Sequence, residues 1–438
     1  MTRVGDLAVA PGDATYIARI GDELDGLAPG AAVAVTQRFR QIVDEFRPPA
    51  GETPAGFRIE RRPGDDGSVR FDLVRDIGRG PGGRPRPTPL IFSVDSANPY
   101  EVAPLAGLVG NLTCNPGIVY DLFLNDPEAN VGGAFGTIDE VLAELARVLG
   151  PGCDMSVELH NPFEPDFERI LDEIERYEAI VSAHRLVVKV PHTGPVNASN
   201  VGQLLDGDGH LDVRWDEGTT ADYVRGHNLA LRLREHGYRV NFTLMFEPHQ
   251  VALALQARPA FVNAFLRHRL KATRTFRGLL AAYEASGDPA FLVQLRRYMI
   301  DTDYLSARDG ELDLLHVLRR AQAHLHNRRH DGEGADGLDS ARQALRWLRT
   351  ASLPDTRLIL CSMEGDLNFP DVMAMLTEPE FLPLHHRALV TTEPSYLARW
   401  ASAPQVISYQ RRFMRAARAV NEAAAEPPTG HPAASIPP

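Results

Sequence analysis

The sequence predicts an α/β protein whose body is a closed (β/α)8 barrel, with an N-terminal α+β extension and a helical insertion between strands 6 and 7. Three observations predict it. Short runs rich in Val, Leu and Ile alternate with amphipathic stretches of helix length, the pattern of parallel strands covered by crossover helices. From residue 90 onward those runs number eight, the count at which a parallel sheet closes on itself. The length of 438 residues holds such a barrel with additions. An open doubly wound sheet is the alternative that pattern alone leaves standing.

Residues 1–89 form the extension. Two helix-like stretches, 14–24 and 31–46, precede a hairpin pattern, FRIERR and VRFDLV, around the turn PGDDGS. GRGPGGRPRPT at 78–88 reads as a Gly/Pro linker and sets a domain boundary. The barrel, 90–423, then runs through LIFSVD (90–95), NLTCNP (111–116), CDMSVELH (153–160), RLVVKVPH (185–192), YRVNFTLMF (238–246), AFVNAFL (260–266), RLILCS (357–362) and RALVTT (387–392). Between the sixth and seventh runs lies the insertion, 271–355, helical at 271–286, 288–304, 311–328 and 338–351 and broken by HDGEGADG. A smaller insertion, 197–218, follows the fourth strand, and the Pro/Ala-rich 424–438 is expected to be a disordered tail.

A net charge of −12 offers no diffuse attraction to nucleic acid or anionic lipid, and no apolar run reaches the roughly 20 residues of a membrane span. The N-terminus has no basic start followed by an apolar stretch, which places the chain in the cytoplasm. Cys114, Cys153 and Cys361 are too scattered for a disulfide framework. Of the 46 basic residues only Lys189 and Lys271 are lysine.

In such a barrel the active site assembles where strands end, so polar residues near strand C-termini are the candidates. They are Asp95, Asn115, Glu158, Lys189, Asn241, Thr243 and Ser362. Lys189 is the most informative, because LVVKVP leaves no place for a solvated surface lysine. A free lysine has a pKa near 10.4; burial among apolar groups lowers it and releases a neutral nucleophile. Arginine cannot replace it, since guanidinium stays protonated. A structural pair between Lys189 and a carboxylate is the competing reading. Glu158 and Asp95 are the acid/base candidates or, equally, the lysine's counter-ions.

These residues resemble the transaldolase family, including its fructose-6-phosphate aldolase relatives. The resemblance runs from about 90 to 266 and resumes from 357 to 400, through FSVDSANP, GLVGNLTCNPGIV, MSVELH, RLVVKVPHTG, REHGYRVNFTLMF and ALVTTEPSYL. It implies a class I aldolase or transferase of carbohydrate metabolism in which Lys189 forms the Schiff base. Asp95 would serve carbon–carbon cleavage, and Glu158, with Thr243 beside it, would activate the catalytic water. Asn115 and Asn241 would hold substrate hydroxyls or the imine, and Phe265 and Ser362 would line the pocket. A ketose or ketone donor and an aldehyde acceptor are the implied partners, with no metal or organic cofactor.

The sequence departs from the family at its phosphate site. CSMEG puts Glu364 where the family has a phosphate-binding arginine, and the arginine expected three residues after Phe265 is His268, flanked by Arg267 and Arg269. The reading is a substrate without the distal phosphate, in secondary metabolism, with Arg267 and Arg269 as the nearest substitutes. A non-catalytic barrel that binds a small molecule is the alternative. The insertion is expected at the active-site face, as a lid or as an interface between copies of the chain. HLHNRRH (324–330), DGDGHLD (206–212) and GRGPGG (78–83) are read as helix end, polar turn and linker, not as zinc, calcium or phosphate sites.

Overall fold

The structure is a computed structural model that describes residues 2–181, 186–327, 332–361 and 368–425. The extension supplies five strands: β1 (Thr2–Val4), β2 (Leu7–Val9), β3 (Ala32–Val35), β4 (Phe57–Pro63) and β5 (Val69–Arg75). They form one sheet in the order β1-β2-β3-β5-β4, with β4 and β5 as the expected antiparallel hairpin. Its core is Val9, Ile17, Val33, Phe39, Phe57, Phe71 and Leu73.

Two helix expectations in the extension are corrected. The stretch 31–46 divides into strand β3 and a helix, Gln37–Phe46, because AVAV alternates and Thr36 then starts a helix by accepting the Phe39 N–H at 3.1 Å. The stretch 14–24 breaks into Ala14–Ile17 and a single turn, Gly21–Leu24, where Gly21 takes a positive φ of 56°.

All eight barrel strands lie where the sequence puts them. They are β6 (Ile91–Asp95), β7 (Val109–Cys114), β8 (Asp154–Glu158), β9 (Leu186–Pro191), β10 (Val240–Met245), β11 (Phe261–Phe265), β12 (Arg357–Cys361) and β13 (Ala388–Thr392). Every pairing is parallel, and β13 closes onto β6. Alternation along each strand sends one set of side chains inward. At the floor this set is apolar, with Ile91, Val187, Phe261, Ile359 and Leu389 clustered together with Ile77. Higher up it is polar: Asn111 Nδ2 donates to Ser93 Oγ at 2.8 Å, and Asn263 Nδ2 donates to Thr243 Oγ1 at 3.1 Å.

The extension is stitched to the strand N-termini. Asp154, the first residue of β8 and fully buried, takes the guanidinium of Arg75 from β5 and that of Arg239, 2.8 Å away, which precedes β10. Arg357 at the start of β12 pairs with Asp76 at 2.6 Å. Arg86, in the Gly/Pro stretch, donates to the carbonyls of Ile77, Val109 and Gly152, so that connection is laced to the barrel floor.

After β11 come the inserted helices His268–Ser286, Ala290–Asp301, Leu314–Asn327 and Asp339–Thr350. The first three share a core of Phe276, Leu295, Met299 and Val317. The smaller insertion braces them: Arg214 grips Asp309 at 2.6 Å, and Ala307 N donates to Leu211 O at 3.0 Å. Residues from Ser395 onward form a second compact unit. It contains the helix Pro404–Ala425, which carries two residues of the expected tail because NEAAA favours helix; the rest of that tail lies outside the described residues.

Candidate active site

Strand register builds the site. The β8–β9 pairing sets Glu158 opposite Lys189, and the β9–β10 pairing sets Asn241 on the other side of the same lysine. Behind β9, the helix Thr220–Glu235 packs so closely that a Cβ on Gly226 would lie 2.1 Å from the Pro191 carbonyl oxygen, which fixes the strand carrying Lys189. Lys189 Nζ stands 3.0 Å from Glu158 Oε2, with the lysine side chain 5% exposed and the glutamate 14%. Asp95 ends β6 and accepts the Thr113 hydroxyl at 2.7 Å. It too is close enough for its charge to act on the lysine. The three residues that the sequence nominates as catalytic therefore meet at the barrel mouth.

The state of the amine differs from the expectation. Burial presses the Lys189 pKa down, but the Glu158 charge, then the Asp95 charge and the hydrogen bond to Glu158, outweigh it and hold the amine above its ordinary value. The resting group is an ammonium in an ion pair, not a neutral nucleophile, because two carboxylates converge on it. The neighbouring thiols are silent: burial pushes Cys114 up to about 12 and Cys361 higher still. Lys189 can become nucleophilic by passing its proton to Glu158.

Several buried polar atoms inside the barrel have no hydrogen-bond partner among the described residues: both amide atoms of Asn241, Oδ1 of Asn263 and Oγ1 of Thr391. Such groups cost about 1–3 kcal/mol each when left unpaired. Thr243 is fully buried and accepts from Asn263. Asn115 sits at the end of β7, but its Oδ1 caps the next helix by accepting Ile118 N at 2.9 Å, so that oxygen is committed to the fold.

A bulge in β10 between Phe242 and Met245 carries Leu244 at φ 61°. It is followed by Phe246, whose ring lies 4.8 Å from that of Phe265 and 5.4 Å from that of His268. An aromatic rim thus stands at the ends of β10 and β11.

Arg267 and Arg269, the expected substitutes for the phosphate arginine, are both engaged by other segments of the chain. Arg267 spends its guanidinium on Asn368 at 2.8 Å, on Asp371 and on the Asp336 carbonyl. Arg269 is held by Asp339 and lies 3.7 Å from Glu247. Each arginine meets carboxylates supplied by distant segments. Ser362 and Glu364 lie outside the described residues.

Thr113, Asn263, Thr391 and Phe246 join the site without having been singled out in the sequence. For Asn263 the signal was present: an amide within FVNAF is as anomalous as the lysine within LVVKV. Among the described residues no group of three or more His, Cys, Asp or Glu side chains is placed to hold a metal ion, and no helix is long and apolar enough to cross a membrane.

No family model and no curated protein matches the chain. Among solved structures it aligns with an aldo/keto reductase from Brucella melitensis at 10% identity and a TM-score of 0.24, over 66% of this chain and 99% of that one. So slight a likeness carries no argument about activity. The barrel assignment stands on the closed parallel sheet itself.

Proposed function

We propose that the chain is a class I aldolase or transaldolase-like transferase that binds a ketose or other ketone through Lys189. The observation that carries this reading is the buried Lys189–Glu158 pair at 3.0 Å, within reach of the Asp95 charge at the mouth of a barrel. The proton of the Lys189 ammonium passes to Glu158, and the freed amine adds to the ketone carbonyl to give a carbinolamine. Glu158 returns that proton, directly or through water, to the departing hydroxyl, so water leaves and an iminium remains. Asp95 accepts the proton of the hydroxyl next to the scissile bond; as that oxygen becomes a carbonyl, the electrons of the carbon–carbon bond flow into the iminium and form an enamine. Protonation and hydrolysis of the enamine complete an aldolase cycle, whereas attack on a second aldehyde completes a transaldolase cycle. The iminium is the electron sink, so the chemistry calls for no organic cofactor.

The substrate of this reading lacks the distal phosphate. Arg267 and Arg269 are occupied by carboxylates, and the resemblance aligns Glu364 with the family's phosphate-binding arginine, where a carboxylate would repel a phosphate. The test is borohydride reduction in the presence of unphosphorylated C3–C6 ketoses, followed by peptide mass analysis. The expected result is the mass of the reduced donor on Lys189 and none in Lys189→Arg. Absence of any adduct with the whole panel would reduce the protein to a barrel that binds small molecules without turning them over.

A further inference from the structure

Beside the mouth, the two insertions enclose a chamber of about 1090 Å3. One wall is Phe246 and Glu247, directly after β10, with His268 and Arg269, directly after β11. The opposite wall is Trp215 and Asp216 from the smaller insertion together with Tyr298, Tyr304 and Arg320 from the helical one. The Arg214–Asp309 clasp, adjacent in sequence to Trp215, and the Arg308–Glu217 pair join the two insertions to each other. The helical insertion lies in the stretch for which the resemblance offers no counterpart, so that part of the lining is this chain's own.

We propose that this chamber is the acceptor subsite and that it takes a neutral, ring-bearing aldehyde, an inference that rests on the Schiff-base reading of Lys189. Position is the first argument, because the chamber borders the C-terminal ends of β10 and β11, on the same rim as Phe265 and one strand away from the lysine-bearing β9. Charge is the second. Arg269, Lys271 and Arg320 are matched in number by Asp216, Glu247 and Asp303, so the formal charges of the lining cancel with His249, His268 and His324 neutral. Arg320 lies 3.9 Å from Asp216, and Arg269 lies 3.7 Å from Glu247. A balanced lining has no surplus for a phosphate or a carboxylate. Shape and surface are the third. Trp215, Phe246, Tyr298 and Tyr304 line a space just above the range of roughly 300–1,000 Å3 typical of small-molecule sites. Trp215 is 53% exposed and lines the space, so its ring is available to a ligand.

Calorimetric titration of the full chain with 4-hydroxybenzyl alcohol, an unreactive stand-in for the ring aldehyde, and with glycerol 3-phosphate tests this. Tight binding of the ring alcohol is expected, and weaker binding of the phosphate. Affinity for the ring alcohol should fall about ten-fold or more in Ala323→Trp, which fills the chamber from the helix Leu314–Asn327, and in Trp215→Ala. Donor trapping at Lys189 on the same proteins reports the Schiff-base reading separately. Ring binding that is lost in Ala323→Trp while no donor is trapped would leave a binding chamber and remove the aldol chemistry. Ring binding unchanged in both variants, or a preference for glycerol 3-phosphate, overturns the inference.

Discussion

Strand β8 carries a carboxylate at each end, and the two ends do opposite things. At the floor Asp154 is clamped by Arg75 and Arg239; at the mouth Glu158 faces Lys189. Both are buried carboxylate–cation contacts in the same barrel. They differ in the cation. A guanidinium keeps its proton at every relevant pH, so the floor pair can only hold the extension against the barrel. An ammonium can give its proton to its partner, so the mouth pair can hold or react. The difference teaches that burial of an ion pair does not by itself mark function; the capacity of one member to change protonation does.

The comparison can be broken first at the floor. Asp154→Ala leaves the buried Arg75 without its carboxylate and Arg239, about a third exposed, without its own, and a loss of about 3 kcal/mol in unfolding free energy is expected, measured by denaturant titration. Folded molecules of that variant should still trap the donor at Lys189. Loss of trapping without loss of stability would show that the floor is not merely structural.

At the mouth the expected effect is on rate. Glu158→Gln removes the proton acceptor and should slow imine formation by roughly 10²–10⁴-fold. With the carboxylate gone, burial acts on Lys189 with less opposition, so the pH optimum of the residual trapping reaction should move to lower pH. A rate that falls with an unmoved pH profile would argue against the pairing.

The two pairs also separate by pH. The Arg239 and Arg75 charges more than offset the burial that would raise the Asp154 pKa and hold it below its usual 3.8, so its contribution is present above that value and is lost as pH falls through the folded pKa. Lys189 is held above 10.5, so its contribution is present below that value and is lost as pH rises through the folded pKa. Relative to the parent, Asp154→Asn should flatten the acid limb of a stability–pH curve and Lys189→Met the alkaline limb. Each change amounts to at most about 1.4 kcal/mol per pH unit.

The smallest effect belongs to the bulge. Leu244→Gly removes the steric penalty of φ 61°, and a change in stability within about 1 kcal/mol is expected. A larger loss would mean that the Leu244 side chain, rather than the backbone kink, holds the mouth together.

Much of this molecule is written locally. Strand positions follow from apolar runs, and inward-facing residues from alternation, so Lys189, Glu158 and Asp95 stand out to a reader who asks why a charged group interrupts an apolar strand. The hairpin β4–β5 and the inserted helices are legible for the same reason. Where local signals conflict, tertiary pairing decides: AVAV before Thr36 is strand because β3 pairs with β2 and β5, neighbours that no local window contains.

By itself, then, the sequence determined the eight strand-forming runs, their alternation with helices and the unusual placement of one lysine, since side-chain period and turn chemistry act over a few residues; closure of the sheet came from the strand pairing. Only the tertiary structure decided that this lysine rests as an ammonium, that Arg267 and Arg269 are already taken, that the extension laces the floor, and that two insertions enclose a chamber. These depend on the distance between charges and surfaces far apart in the chain. Electrostatic energy falls with separation in space, and the spacing along the sequence does not reveal it.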